Sequence, residues 1–199
     1  MTFSLTVLGS SAAIPVKERN LSAHLLNADE RLYLIDCGEG TQFQLRKYRF
    51  SFQRIGHIFI SHLHGDHFFG LIGLLNSMHL LGRKTELHLF APAPLEEILQ
   101  IQLDTAETRL MYPLCFHPLP AEGGVIFDNP KLSVSSFPVL HRIPAYGFAF
   151  REKQPPRHLP GPRSFAYTGD TAYCESILPH ITGVSVLYHE ATFMQDLVA

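Results

Sequence analysis

Three imidazoles and a carboxylate crowd into six consecutive residues of this chain, His62-Leu63-His64-Gly65-Asp66-His67. They follow an apolar segment, residues 57–60, whose composition is typical of a buried strand. In an extended loop His62 and His64 point the same way, and a turn at the glycine brings Asp66 and His67 toward a second position. Imidazole and carboxylate are the ligands of catalytic zinc. The spacing predicts a metal site with room for two ions, against a solvated histidine-rich loop as the alternative.

Two later segments supply further candidate ligands at predicted strand ends. His141 follows a predicted strand over residues 132–140, and Asp170 follows another over residues 164–167, within a Thr-Gly-Asp-Thr turn. Taken alone, His141 is more often a partly exposed histidine, and Asp170 a turn former or helix cap. Beside the first motif they complete a dinuclear site, where a water between two ions loses a proton near neutral pH and attacks a phosphoryl or carbonyl centre. The implied reaction is hydrolysis.

The composition limits the organisation of the chain and its surroundings. With 199 residues, 46% of them hydrophobic, we expect a single domain over residues 1–199. The net charge of -2 excludes a globally basic surface for nucleic acid, so a phosphate partner needs local features. Cys37, Cys115 and Cys174 lack CxxC spacing and are odd in number, which favours a reducing compartment. The amino-terminal segment resembles neither a signal peptide nor a membrane span, so we expect a soluble, cytoplasmic protein.

Hydrophobic periodicity predicts strands that alternate with helices in both halves of the chain. Predicted strands cover residues 3–8, 23–26, 31–35, 57–60, 86–90, 164–167 and 184–188, with successive strands between 125 and 150; predicted helices cover 41–48, 70–81 and 94–104. This order favours stacked sheets with helices outside, an α/β fold of the αβ/βα four-layer sandwich type. The polar, proline-rich residues 151–163 are expected to form a surface loop or the remnant of a larger insertion.

Several motifs together resemble those of one enzyme family. The HxHxDH run, the later histidine and the TGDT aspartate are similar to the metallo-β-lactamase superfamily. Three further segments look like its ribonuclease Z branch, the tRNA 3′-processing endonucleases: a PxKxRN loop at residues 15–20, DCGEGTQ at residues 36–42 and HEATF at residues 189–193. The resemblance covers essentially the whole chain, and these three segments are far more specific than HxHxDH alone.

The resemblance implies an endoribonuclease with two zinc ions per subunit that removes the 3′ trailer of precursor tRNA. The implied metal ligands are His62, His64 and His141 for one ion, Asp66 and His67 for the other, and Asp170 as the bridge. Asp66 is also the implied general base, and His189, held by Glu190, the implied proton donor to the leaving 3′ oxygen. The implied residues for the acceptor end of the tRNA are Lys17, Arg19 and Asn20. The family further implies a homodimer.

Two features depart from that family. A final histidine ligand, which the resemblance places beyond the HEATF segment, is not found before Ala199. Only residues 151–163 occupy the place of a long arm that grips the tRNA. We interpret the sequence as an incomplete version of a longer protein; the alternative is a degenerate member that holds its second zinc weakly.

Other interpretations stay open. Lys17 and Arg19 can form an ordinary solvated turn, Asp36 can simply order the loop beneath the metals, and Glu190 can cap a helix. A hydrolase of small substrates on the same scaffold is one alternative, such as a cyclic-nucleotide phosphodiesterase, an arylsulfatase-like enzyme or a thioester hydrolase. A non-catalytic RNA-binding or scaffold protein is another. The sequence leaves open the physiological metal, the oligomeric state and whether precursors already carrying CCA are cut.

Overall fold

The computed structural model describes residues 2–155 and 161–191, in two compact units, Met1–Leu119 and Pro120–Ala199. Each unit is built on one β-sheet. The single domain expected over residues 1–199 stays a prediction. Among the described residues, no helix combines the length and the apolar character that a membrane crossing requires.

The first unit contains a six-stranded sheet in the order β1-β2-β3-β4-β5-β6. Its strands are β1 Phe3–Gly9, β2 Ala23–Ala28, β3 Arg31–Ile35, β4 Ile55–Phe59, β5 Leu87–Ala91 and β6 Leu114–Pro118. Its helices are α1 Thr41–Lys47, α2 Gly65–Phe68, α3 Leu71–Leu80 and α4 Pro94–Thr105. The first three strands pair antiparallel, and β3 to β6 run parallel. The candidate metal ligands of this unit follow β4.

Apolar spacing explains how the helices of the first unit attach to its sheet. Leu71, Leu74, Leu75 and Met78 of α3 are fully buried, at the spacing of one helix face. They join one core with buried strand residues such as Leu34. Each fully buried leucine contributes roughly 2 kcal/mol relative to an exposed one. This core fixes the strand ends that carry the site.

The second unit contains a five-stranded sheet in the order β11-β10-β9-β8-β7. Its elements are β7 Gly124–Asp128, β8 Leu132–Pro138, β9 Tyr146–Glu152, β10 Ser164–Tyr167, α5 Leu178–Ile181 and β11 Val186–Tyr188. Strands β7 to β10 pair antiparallel, whereas β10 and β11 are parallel. Phe137, Ala149, Ala166 and Ile177 form a buried cluster beneath this sheet.

Most predicted elements are confirmed, with small shifts of their ends. The strand predicted over residues 132–140 ends at Pro138, because proline cannot extend a ladder. Strand β6 was not predicted; its sequence, Leu-Cys-Phe-His-Pro, has no clear alternation. Residues 151–163 include the end of β9 and the described residues 161–163, while residues 156–160 lie outside the described part.

Aromatic rings stack across the parallel strands of the first unit. The ring centres of Tyr33 and His57 lie 5.1 Å apart, as do those of His57 and His88. Burial, reinforced by the neighbouring His88 and Arg31, lowers the pKa of His57 from 6.5 to about 4. The folded protein therefore holds this imidazole neutral.

Replacing His57 should make the protein more resistant to mild acid. Because the unfolded chain takes up a proton at this histidine near pH 6.5 and the folded chain only near pH 4, stability is full above pH 6.5 and falls toward pH 4. His57→Phe keeps a ring in the stack and removes the proton. Urea unfolding at about pH 7 and pH 5 should show a smaller loss for the variant than for the wild type. An identical loss would contradict the assignment.

Candidate metal centre

Two neighbouring parallel strands carry the polar residues of the first half of the site. Ile35 ends β3 and pairs with Phe59 of β4, so the residues that follow, Asp36 and Ser61, leave the sheet at the same edge. Parallel strands bring their carboxyl ends together, which is where ligands bind in open α/β sheets. The apolar strands thus place these polar residues at one edge of the sheet.

Asp36 is the fully buried anchor of this edge. Its Oδ1 accepts a 2.8 Å hydrogen bond from the Ser61 backbone N–H, and its Oδ2 a 3.0 Å bond from the Ser61 hydroxyl. Oδ2 also lies 2.7 Å from Nδ1 of His67. Burial alone would raise the pKa of this carboxyl, but the charge and hydrogen bond of His67, with His62 nearby, lower it to about 2. Asp36 is therefore a carboxylate at neutral pH and orients His67 through Nδ1.

His62 and His64 bring ring nitrogens close together. The Ser61 hydroxyl lies 3.0 Å from Nδ1 of His62, and Nε2 of His62 lies 3.2 Å from Nδ1 of His64. His64 and His67 each offer a ligand atom within 4.8 Å of one on His62. Converging imidazole nitrogens beside a carboxylate-backed histidine are the arrangement that catalytic zinc takes in proteins. The donor set of this unit fits such an ion.

The predicted turn at Gly65 is a short helix. The chain is extended at His64 and then forms α2 over Gly65–Phe68, which swings Asp66 and His67 away from the line of the strand. Oδ2 of Asp66 lies 3.6 Å from Nε2 of His67. The same carboxylate oxygen accepts a 2.8 Å hydrogen bond from the Ala13 backbone N–H. Asp66 is thus held between the imidazole and the amino-terminal loop.

The loop after Asp36 packs backbone to backbone against the histidine motif. The Cys37 N–H donates to the His67 carbonyl, and the Gly70 N–H donates to the Cys37 carbonyl. A Cβ on Gly38 would lie 2.3 Å from the Asp66 carbonyl oxygen, so only glycine fits there. Burial raises the pKa of the Cys37 thiol to about 12, which excludes it as a nucleophile at neutral pH.

The predicted substrate loop is a tight exposed turn. Val16 and Arg19 exchange backbone hydrogen bonds of 3.0 Å, which leaves Lys17 and Glu18 at the tip. Lys17 and Arg19 are exposed, and Asn20 is half-buried. Ala13, two residues before this loop, donates its backbone N–H to Asp66. The first unit therefore brings the substrate-loop candidates into the neighbourhood of a candidate ligand.

The second unit brings its own candidates together at one edge. His141 lies after β8 and Asp170 after β10, and both are half-buried. The Ala172 N–H donates 2.8 Å to the Leu140 carbonyl, and the Leu140 N–H donates 3.2 Å to the Thr171 hydroxyl. These bonds tie the segment that carries His141 to the turn that carries Asp170.

His189 and Glu190 join the same edge through hydroxyl and backbone contacts. The Thr168 hydroxyl lies 2.8 Å from Nδ1 of the exposed His189. Glu190 Oε1 accepts a 2.8 Å hydrogen bond from the Thr171 N–H. The HEATF residues Thr192 and Phe193 lie outside the described residues. Glu190 thus stabilises the turn whose Thr168 contacts the imidazole.

Several residues that support the site were not predicted from the sequence. Ser61, Thr168 and Thr171 are short polar residues next to buried strands, and that position is the only signal their sequence offers. The Ala13 contact comes from the backbone, which no side-chain pattern reveals. Asp36 was noticed only as a loop-ordering residue, yet its carboxylate directly contacts His67.

Known proteins share this chain's sequence and fold. Proteins named Ribonuclease Z from Bacteroides fragilis and Azobacteroides pseudotrichonymphae are 36% and 38% identical, with 99% and 96% of this chain and 79% and 75% of theirs covered. The crystal structure of human tRNase Z, short form (ELAC1), matches with a TM-score of 0.84 and 31% identity, over 96% of this chain and 79% of that chain. A family model described as Anti-Pycsar protein Apyc1 matches residues 3–198.

A more distant structure agrees on the fold. The metallo-β-lactamase fold protein YhfI from Bacillus subtilis matches with a TM-score of 0.70 at 20% identity, over 92% of this chain and 68% of that one. The strand-end histidines and these likenesses define a metallo-β-lactamase fold, as the sequence predicted. The chain belongs to the ribonuclease Z family, and its residues 3–198 belong to the family whose model is described as Anti-Pycsar protein Apyc1.

The alignment with the Bacteroides fragilis relative also shows a difference of length. It extends over 239 residues with the Bacteroides fragilis relative, more than the 199 residues of this chain. The relative therefore carries internal segments that have no counterpart here.

Neutralising Asp36 should weaken metal binding. Asp36→Asn keeps the shape of the side chain and removes the charge that orients His67, so we expect zinc affinity to fall about 10- to 100-fold. Competition with a chromophoric chelator measures it. Asp29→Asn, at a hairpin turn where φ is positive, is the matched control and should bind zinc as the wild type does. Equal affinity in Asp36→Asn would contradict the role assigned to the buried carboxylate.

Proposed function

We propose that this chain is a metal-dependent endoribonuclease that removes the 3′ trailer from precursor tRNA. The observation that carries the proposal is the buried Asp36 carboxylate, which orients His67 beside the converging rings of His62 and His64, in a member of the ribonuclease Z family. Relatives with that name support the substrate, and the imidazole and carboxylate donors support the metal. We further propose a cytoplasmic homodimer with two zinc ions per subunit.

The two edges described above supply the proposed ligands. His62, His64 and His141 would hold one ion and Asp66 and His67 the other, with Asp170 as the proposed shared ligand. The chemistry of the donors supports this division, since zinc in catalytic sites takes imidazole nitrogen and carboxylate oxygen. When bound, two such ions polarise the phosphoryl group and supply an activated water at neutral pH.

The protein's own residues then place the protons. Asp66, held at Oδ2 by the Ala13 N–H, orients the attacking water and accepts its proton. His189 donates a proton to the leaving 3′ oxygen. Its Nδ1 lies 2.8 Å from the Thr168 hydroxyl, a contact that leaves Nε2 as the ring nitrogen for the proposed proton transfer. Glu190 supports this step through its bond to the Thr171 N–H, which stabilises the turn behind the ring.

The loop at residues 15–20 provides the proposed contacts to the acceptor end of the tRNA. Lys17 and Arg19 are exposed and meet phosphates, which position the RNA without reading its sequence. Asn20 lies at the base of the loop. Ala13, just before this loop, donates its backbone N–H to Asp66, so the loop begins next to the proposed general base.

Cleavage of a precursor tRNA with a 3′ trailer tests the proposal directly. We expect one cut after the discriminator base, two zinc ions per chain by plasma emission, and loss of both on treatment with a chelator. His189→Ala should lower kcat by about 100-fold or more, since it removes a proton donor. His79→Gln, a change outside both edges, is the matched control.

The outcome separates the proposal from its alternatives. One zinc or none with no cut would contradict the two-metal endonuclease. A non-catalytic RNA-binding relative would bind the precursor without cutting it.

A hydrolase of small phosphodiesters is the second candidate. It is favoured by the internal segments that the relative carries and this chain lacks. Bis-p-nitrophenyl phosphate separates the two: hydrolysis of this compound together with an intact precursor tRNA supports the second candidate, whereas a single cut in the precursor supports the first.

A further inference from the structure

The outer side of α1 and the segment after it project basic and aromatic side chains into solvent. We name this set the basic aromatic surface; its members are Phe43, Arg46, Lys47, Tyr48 and Arg49. The Phe43 side chain is 75% exposed and Tyr48 is 48% exposed. The proposed function does not yet use any of them.

The inner side of α1 holds this surface rigidly. Leu45 is fully buried in the core of the first unit, and Gln42 Oε1 accepts a 3.1 Å hydrogen bond from the Ser77 hydroxyl of α3. Phe43, Arg46 and Lys47 stand at i, i+3 and i+4 and therefore share the opposite face. The exposed rings and charges belong to an anchored helix.

Basic residues outnumber acidic ones around this surface, where the exposed Glu39 is the nearest acidic residue in the sequence. Residues 40–65 contain no aspartate or glutamate. Within residues 2–155 and 161–191, no acidic side chain pairs with Arg46, Lys47 or Arg49, whereas the nearby Arg54 lies 3.2 Å from Glu30. In a chain with a net charge of -2, this segment is a local concentration of positive charge.

Helix stability explains only part of the pattern. Basic residues in the last turn, here Arg46 and Lys47, interact favourably with the carboxyl end of a helix. That does not account for the Phe43 ring in solvent or for Tyr48, over which Lys47 Nζ lies 5.5 Å from the ring centre. A positively charged surface with exposed aromatic rings is one means by which proteins bind single-stranded nucleic acid.

The surface borders the predicted substrate loop. Helix α1 begins at Thr41, just after the Asp36 segment that packs on the histidine motif. A Cβ on Gly40 would lie 3.6 Å from Oδ1 of Asn20, so the substrate loop adjoins the start of α1. RNA held at Lys17 and Arg19 therefore has a basic, aromatic track beside it.

We propose that the basic aromatic surface binds an unpaired stretch of the substrate RNA outside the candidate metal centre. Phosphates meet Arg46, Lys47 and Arg49, and bases stack on Phe43 and Tyr48. The proposal rests on the proposed function. A second copy of the chain is the competing occupant, and sedimentation of the Phe43→Ala variant without RNA tests it.

Precursor tRNAs that differ only in trailer length test this surface. One carries a long unpaired trailer and the other a one-nucleotide trailer. Phe43→Ala and Arg46→Gln should each raise KM for the long trailer about tenfold and bring it toward that of the short one, since one stacked base is worth about that factor. Arg46→Gln should also lower the salt slope of binding by about 0.7. Ile101→Ala and Arg109→Gln, exposed residues elsewhere in this unit, are the matched controls.

The outcomes distinguish this proposal from the proposed endonuclease function on which it rests. If the wild type cuts neither precursor, the proposed function fails. If it cuts both and the variants keep the wild-type KM ratio and salt slope, the surface does not bind the RNA and the function stands. Equal weakening on both trailers, or altered sedimentation of Phe43→Ala without RNA, would overturn the assignment to an unpaired strand.

Discussion

A single buried carboxylate organises the first half of the site. Asp36 takes a left-handed backbone conformation, with φ of 55°, that aims both oxygens at Ser61 and His67. A buried charge of this kind is costly unless it is fully hydrogen bonded. The loop after β3, the turn of α2 and the histidine rings all depend on that pairing. Stability and function are joined here, because the same bonds that satisfy the carboxylate set the direction of His67.

The fold was predictable where a pattern of apolar residues existed. Leu71, Leu74, Leu75 and Met78 have the spacing of one face of helix α3. Two apolar segments on either side of a polar turn indicate the hairpin of β2 and β3. Strand β6 was missed because it is half-buried along most of its length and so shows neither alternation nor a continuous apolar run. The short α2 was missed because one helical turn has no period to detect.

Only those site residues whose side chains form a recognisable sequence pattern could be predicted. HxHxDH identifies its own donors, and the strand ends explain why His141 and Asp170 are candidates. The supporting contacts depend on the folded backbone: the Ala13 N–H meets Asp66 across more than fifty positions of sequence, and the Thr168 hydroxyl meets His189 across twenty-one. Such contacts can be identified only in the folded structure, where the strand ends lie close together. The basic aromatic surface was missed for another reason, since the helical spacing of residues 41–48 predicts the helix but not which face stays exposed.

The central claim is that the buried Asp36 carboxylate orients histidines of the first unit that bind metal. Anomalous diffraction at the zinc edge, from crystals grown with zinc, tests it most directly. The account predicts zinc peaks within bonding distance of the His62 and His64 rings and of the Asp66 and His67 side chains. A single peak elsewhere, or none at these rings, would contradict it.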